Sequence, residues 1–213
     1  DVDIAENGKV YFTDATTKFS AKAFGGTLNA SLLEILEHRG NGRLIEYTPS
    51  TGKSKVIMDG LVFANGVAVS HDQASVLVNE TGNYRVLRYW LGGPRSGQVD
   101  IVIDNLPGFP DNISAARNGG YYVGLASPRS SAVDKLADSP FLRKIVQRLP
   151  KLLRPQGQAY GHLIKISERG EIELSLQDPT GAFPFTTGAI ETDEELYISS
   201  LTATAVGVLG LKE

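Results

Sequence analysis

The feature that most constrains this chain is a recurrence of short strand-like runs at regular, blade-sized intervals. Residues 65–69 (Asn-Gly-Val-Ala-Val) open one unit and residues 111–115 (Asp-Asn-Ile-Ser-Ala) open the next. A second strand-like run follows each opening, and residues 9–14 and 195–200 fit that second place in two further units. Such repetition indicates units that bury their apolar surface against one another, as the blades of a propeller do.

Glycine-, asparagine- and aspartate-containing turns, such as Asn7-Gly8 and Asn118-Gly119, separate the runs and indicate antiparallel sheet. We predict an all-β fold, a β-propeller of four-stranded blades with a helical insertion and about four blades visible in this chain. A ring of four blades and a ring of six with its first two missing both fit this pattern. The predicted innermost strands are 2–6, 66–70, 112–116 and 188–192, and the second strands are 9–14, 75–80, 120–125 and 195–200. The third strands are 42–47, 84–91, 161–166 and 205–211, and the outer strands are 54–59, 98–103 and 171–177.

The composition excludes several kinds of function and site, but it does not indicate a particular one. The net charge of −3 argues against a nucleic-acid partner, and the absence of cysteine excludes disulfides, thiolate zinc sites and cysteine nucleophiles. No apolar run is as long as a membrane span, and no signal peptide is visible. Because the chain opens on residues 1–4, which already read as a strand, we expect the natural N-terminus to lie upstream. Nothing in the composition assigns a compartment.

Two segments depart from the strand pattern. Residues 28–40 have helical spacing, with Asn29 or Ser31 as the expected N-cap and Gly40 as the expected end. Residues 127–160 form a basic amphipathic helical insertion, interrupted near Pro150, with apolar residues at i, i+3, i+4 and i+7. The simplest interpretation packs its apolar side on the propeller. Contact with a membrane surface or a partner is the second interpretation. Binding of nucleic acid is the third, against which the scarcity of aromatic residues argues.

Polar residues recur where two innermost strands are predicted to begin. Asn65, Asp111 and Asn112 occupy matching places in successive units, so their side chains should converge on one central channel. Amide and carboxylate oxygens are hard donors that suit Ca²⁺ or Mg²⁺. Asn-Gly and Pro-Asp are also ordinary turn sequences, and each motif alone is explained by a turn.

Several runs resemble the strictosidine synthase-like proteins, in the same order along the whole chain. They are residues 11–14 (YFTD), 63–67 (FANGV), 88–91 (RYWL), 106–113 (LPGFPDNI) and 191–198 (ETDEELYI). The resemblance implies a six-bladed propeller, similar in architecture to paraoxonases and to the gluconolactonase/senescence marker proteins. It also implies that about two blades are absent from the N-terminal side of this sequence.

The same resemblance implies roles for individual residues. In paraoxonases and gluconolactonases the positions matching Asn65, Asp111 and Asn112 bind calcium, and a further ligand is expected at or just before Asp1. In strictosidine synthase the catalytic base is a glutamate of the last blade, which Glu191 matches here. Thr192 departs from the pattern, because the family often has histidine at that position.

Our leading hypothesis is a metal-dependent hydrolase of esters or lactones, with Ca²⁺ or another hard divalent cation and a small-molecule substrate. The ion would polarise the carbonyl, and water would attack it with Glu191 or an upstream residue as base. The second hypothesis is a condensation of amine and aldehyde (C–N lyase class) with Glu191 as base, and the third is a non-catalytic scaffold. Four phenylalanines are expected to line the mouth of the channel: Phe63, Phe109, Phe183 and Phe185.

Overall fold

The chain forms four antiparallel sheets, each made of strands that follow one another in the sequence. The computed structural model describes residues 1–211, apart from the side chain of Lys151. Within that range the sheets have the orders β1-β2-β3-β4, β5-β6-β7-β8, β9-β10-β11-β12 and β13-β14-β15. We number these sheets as blades one to four. The strands are β1 (Val2–Ile4), β2 (Val10–Asp14), β3 (Gly42–Thr48), β4 (Lys53–Leu61), β5 (Ala64–Val69), β6 (Ser75–Glu80), β7 (Arg85–Trp90), β8 (Val99–Ile103), β9 (Gly108–Ala115), β10 (Tyr121–Pro128), β11 (Gly161–Ile166), β12 (Ile172–Asp178), β13 (Thr186–Glu191), β14 (Glu195–Ser200) and β15 (Gly207–Gly210).

The predicted fold class is therefore confirmed, and every predicted strand is present within a few residues of its expected bounds. The largest differences are in blade three. Strand β9 begins four residues before its predicted start, and β10 ends three residues after its predicted end. The extra residues pair as Leu125 with Pro110 and Pro128 with Gly108, across two register shifts. Irregular pairing of this kind breaks the alternation of apolar and polar residues from which strand ends are read.

The hydrophobic core lies between the blades. Strand β6 is buried at all six positions because its two faces meet different neighbours. Val76 and Val78 pack with blade one, whereas Leu77 packs with blade three. A third cluster, which includes Tyr122 and Leu196, joins blade three to blade four. Burial on both faces explains why the middle strands are continuous apolar runs rather than alternating ones.

In each blade the second strand ends on the side of the propeller where the innermost strand begins. The connection to the third strand therefore starts on that side. This follows from the antiparallel pairing, in which Ala64 lies opposite Glu80 and Gly108 lies opposite Pro128. We call this end of the propeller the mouth. All three α-helices are inserted in such connections: α1 (Thr27–Glu37) in blade one, and α2 (Ser131–Leu136) and α3 (Pro140–Arg148) in blade three. The insertions therefore stand at the mouth.

Helix α1 forms where predicted, but its ends differ from the prediction. Gly26 is the N-cap, and Asn29 instead donates a side-chain hydrogen bond back to the Gly25 carbonyl, 2.8 Å away. The helix stops at Glu37 because His38 adopts the left-handed conformation, with φ of 54°. Gly40 is required for packing, since a side chain there would collide with the backbone of Gly60. Gly40 therefore serves packing within blade one and does not end the helix.

The insertion in blade three is helical, as predicted, and it breaks after α3, near Pro150. None of the residues of α2 or α3 is buried, so its apolar side is not packed into the propeller core. Among residues 1–211, no helix combines the length and the apolar character needed to cross a bilayer.

The outward faces of the first and last blades also expose apolar side chains. Val2 and Ile4 of blade one and Ile190 and Val208 of blade four are all exposed. At the junctions between the blades of the chain, equivalent faces are covered by a neighbour. The presence of two preceding blades stays a prediction.

Candidate functional site

Three innermost strands begin at the mouth with the same local sequence pattern. A phenylalanine is followed two positions later by a polar residue in Phe63-Ala64-Asn65, Phe109-Pro110-Asp111 and Phe185-Thr186-Thr187. The strand register supports this alignment. In each blade, the residue two positions after the polar residue pairs with an equivalent position of the second strand. Asn65, Asp111 and Thr187 are therefore the mouth residues of blades two, three and four.

Asn65 and Asp111 lie close enough for their side chains to interact. Burial raises the pKa of the Asp111 carboxyl to about 6, and the interaction with the Asn65 side chain, which favours the charged form of this carboxyl group, opposes the rise. No arginine or lysine contributes to the pKa of this carboxyl. A desolvated carboxylate beside an amide oxygen is a setting in which a bound cation supplies the missing opposite charge.

The backbone of each mouth residue is held by the second strand of the preceding blade. Thr13 Oγ1 donates to the Asn65 carbonyl, and Asn79 Nδ2 donates to the Asp111 carbonyl over 2.8 Å. At the equivalent place in blade three stands Gly124, whose missing side chain leaves room for the Thr187 backbone. The mouth residues are thus positioned by contacts between blades rather than by flexible loops.

Glycine also allows the innermost strands to approach one another. A Cβ atom on Gly66 would lie 2.5 Å from the Asp111 carbonyl oxygen and 2.6 Å from the Ile113 nitrogen. Real Cβ atoms do not make contacts that short, so only glycine fits between β5 and β9. The close approach sets the separation of Asn65 and Asp111.

Asn112 contacts a different neighbour. An added Cβ on Gly188 would lie 3.1 Å from the Asn112 Cβ, so Asn112 packs against the innermost strand of blade four. Asp1, near the expected position of a further ligand, accepts a hydrogen bond from the Val67 nitrogen over 3.1 Å. The structure thus brings Asn65 and Asp111 together, and the roles of Asn65, Asp111 and Asn112 as metal ligands stay a prediction.

Glu191 is not at the mouth. It is the last residue of β13, whereas the mouth residues stand at strand beginnings. Its Oε2 accepts a hydrogen bond of 2.8 Å from the Arg117 backbone nitrogen, in the turn that follows β9. Four steps of extended strand, roughly 13 Å, separate it from Thr187. Glu191 thus lies at the end of the innermost strand of blade four, and its role as a catalytic base stays a prediction.

Two of the four phenylalanines expected to line the mouth are part of the core instead. Phe63 and Phe109 are both buried, and the Phe109 ring packs on Tyr84 with 4.8 Å between ring centres. Phe183 and Phe185 are half-buried. Any apolar lining supplied by these side chains comes from blade four.

Within residues 1–211 there is no cluster of three or more histidine, cysteine, aspartate or glutamate side chains arranged to hold a metal. The mouth offers amide oxygens and one carboxylate instead. These hard donors fit Ca²⁺ and do not suit zinc or copper.

Comparison with known proteins identifies the family. The strictosidine synthase family model matches residues 1–94. The chain is 36% identical over 221 residues to Protein STRICTOSIDINE SYNTHASE-LIKE 10 of Arabidopsis thaliana, covering 99% of this chain and 56% of the relative. The chain belongs to the strictosidine synthase-like family.

This strictosidine synthase-like chain also resembles an animal protein. It is 34% identical over 220 residues to the adipocyte plasma membrane-associated protein of Rattus norvegicus, covering all of this chain and 57% of the relative. The chain thus spans little more than half the length of the curated relatives that it matches.

Solved structures confirm the propeller. A protein described as a putative gluconolactonase superimposes with a TM-score of 0.58 at 16% identity, covering all of this chain and 60% of that one. Regucalcin of Agrobacterium tumefaciens, described as a calcium-binding protein, has a TM-score of 0.58 at 13% identity and covers 96% of this chain and 54% of that one. At such identities the likeness concerns the fold alone.

Thr187 is the mouth residue that sequence reasoning missed. Its Oγ1 lies 2.6 Å from Ser199 Oγ, and the residue is buried. Threonine is not a typical metal donor, so the search for amide and carboxylate side chains passed over it. Aligning the three units on Phe63, Phe109 and Phe185 is the signal that finds it.

Proposed function

We propose that the mouth binds Ca²⁺ and that this strictosidine synthase-like protein is a metal-dependent hydrolase of esters or lactones. The observation that carries the proposal is the proximity of the Asn65 side chain to the half-buried Asp111 carboxyl group, which no arginine or lysine neutralises. Two proteins with the same fold, one described as a putative gluconolactonase and one as a calcium-binding regucalcin, agree with it. Because the chain spans about half of its relatives, the activity concerns the whole protein.

Asn65 and Asp111 would hold the ion, and Asn112 is the nearest further oxygen donor in the sequence. When bound, the ion would polarise a substrate carbonyl and stabilise the oxyanion formed as water attacks. The residues of the chain contribute rigidity: Thr13 and Asn79 fix the backbone of the two donors by hydrogen bonds from the preceding blades. Preorganised groups of this kind need no rearrangement as charge develops.

Phe183 and Phe185 provide the half-buried apolar surface nearest to the mouth of blade four. They favour an apolar acyl or aryl portion of the substrate over a charged one. Condensation of amine and aldehyde with Glu191 as base stays a prediction, and the hydrogen bond from the Arg117 nitrogen to Glu191 does not favour it over hydrolysis.

The test combines binding and turnover. Ca²⁺ binding is measured by calorimetry, and hydrolysis of phenyl acetate and of a γ-lactone is measured with and without a chelator. The Asp111→Asn variant keeps the shape of the side chain but removes its charge, so it should lose most Ca²⁺ affinity and most hydrolysis. Asp193→Asn is the matched control, since Asp193 is largely exposed and forms an ion pair with Arg117.

Hydrolysis that survives both the chelator and Asp111→Asn would contradict the proposal. So would Ca²⁺ binding that is unchanged in Asp111→Asn. Binding without turnover of any ester or lactone would retain the ion site and remove the hydrolase assignment.

A further inference from the structure

The apolar side of helix α3 is uncovered. Phe141 is 73% exposed, and Leu142 and Ile145 on the same side are also exposed. With 100° between successive residues, these three lie within about 100° of one another around the helix. Leu152 and Leu153, in the 3₁₀ turn that follows, are 93% and 64% exposed. Isolated exposed apolar residues are ordinary, but here five fall within thirteen residues of the chain, and we call this group the patch.

The opposite side of α3 is fastened to the protein, so the patch is held outward. Gln147 Nε2 donates to the Leu33 carbonyl of α1 over 3.1 Å. Arg143 Nη1 donates to the Ala137 carbonyl over 2.7 Å. Both residues point away from the apolar side. The orientation of α3 is therefore set by polar contacts on its inner side together with the half-burial of Val146.

The surroundings of the patch are cationic in a protein that is anionic overall. Residues 129–154 carry seven basic and two acidic side chains, whereas the whole chain has a net charge of −3. Lys144 and Arg148 are exposed beside the patch, and one of the two acids, Asp134, already pairs with Arg129 at 3.1 Å. This segment is where the chain can approach a negatively charged surface without repulsion.

From these observations we propose that the patch, defined as Phe141, Leu142, Ile145, Leu152 and Leu153, docks on the surface of an anionic lipid bilayer. A short helix with protruding apolar side chains and flanking cations matches the boundary between headgroups and acyl chains. Fluid lipid can close around protruding side chains in any arrangement, whereas a folded partner would need a complementary groove. Because α3 stands at the mouth, docking holds the mouth beside the membrane.

The experiment measures partitioning of the protein onto vesicles of phosphatidylcholine with about 30 mol% phosphatidylserine. Phe141→Ser with Leu152→Ser should lower the partition coefficient at least about tenfold, since each loses an apolar group that enters the bilayer. Lys144→Glu with Arg148→Glu should abolish the preference for phosphatidylserine, and salt near roughly 0.5 M should weaken wild-type binding. Val99→Ser with Ile101→Ser is the matched control, because both residues are exposed on strand β8 of blade two.

A second readout locates the contact. Phe141→Trp should shift the tryptophan emission to shorter wavelength on addition of vesicles, whereas Ile101→Trp should not. The proposal is overturned if the wild type does not bind anionic vesicles, or if the serine variants at 141 and 152 bind as well as the control. It is also overturned if the patch instead mediates dimers, seen as a sedimentation change that the same serine variants remove.

Discussion

Asn79 links the core to the mouth through one side chain. It is fully buried, and its Nδ2 holds the Asp111 carbonyl, while its Oδ1 has no partner among the described residues. A buried side-chain amide that donates a hydrogen bond to the neighbouring blade specifies how the two blades pack together. The same position in blade one is Thr13, which holds the Asn65 carbonyl. A single repeated position therefore sets the backbone under both proposed donors.

Replacing Asn79 by alanine should destabilise the protein by about 2 kcal/mol, because the Asp111 carbonyl loses its donor and a small cavity opens. Unfolding by urea would measure the change. Asn118→Ala is the control, since Asn118 is exposed in a turn of blade three. Equal stability of the two variants would show that the link between blades carries no energy.

His162 predicts a pH dependence of stability. Burial lowers the pKa of its imidazole below the ordinary value of 6.5. The unfolded chain therefore binds the proton more readily, and the stability that depends on neutral His162 is complete above about pH 6.5 and declines as the pH falls toward the folded pKa. His162→Gln should lose less unfolding free energy than the wild type between about pH 7.5 and about pH 5.5. An identical loss in both proteins would contradict this.

Single residues were predicted unevenly from the sequence, and the reasons are physical. Asn65 and Asp111 were found because amide and carboxylate groups at turns are recognisable donors. Thr187 was missed because threonine is not a typical metal donor, although Phe185, two positions before it, matches Phe63 and Phe109 in the other units. Glu191 falls at the end of the innermost strand of blade four, as the resemblance implies, but a matching string of residues does not establish its role as a base.

At the scale of elements, the contact between β5 and β9 depends on the absence of a side chain at Gly66. Gly66→Ala should destabilise the protein by about 2 kcal/mol or more, since the methyl group would force two backbones apart. Gly92→Ala is the matched control, because an added Cβ there meets nothing within 4 Å and Gly92 has an extended backbone. Thermal unfolding compares the two variants, and a similar melting temperature for both would refute the close-packing argument.

Strands were easier to predict than the packing of helices. Alternation and turn residues locate each strand, and burial on both faces of β6 follows from its unbroken apolar run. The amphipathic pattern of α3 indicates a helix with an apolar side, but it does not identify what that side contacts. Val146 and Leu149 of this side are half-buried, whereas Leu142 and Ile145 are exposed, so only part of this side is covered by the rest of the protein.

At the scale of the whole molecule, an ion bound only by the folded state should stabilise the entire propeller. Ca²⁺ at about a hundredfold its dissociation constant should add about 2.7 kcal/mol to the free energy of unfolding. A chelator should remove that increment in the wild type and have no effect on Asp111→Asn. Scanning calorimetry with and without Ca²⁺ measures it, and a melting temperature independent of Ca²⁺ would exclude the ion site.

The hydrogen bonds from Thr13 to Asn65 and from Asn79 to Asp111 join strands, while α1, α2 and α3 belong to the intervening connections. The strands thus set the spacing of the proposed donor oxygen atoms, whereas the connections with their helices shape the rim of the mouth. Grafting a different rim from a homologue should alter which molecules are admitted while leaving ion affinity as it was. An architecture divided in this way lets a lineage diversify its chemistry without rebuilding the scaffold beneath.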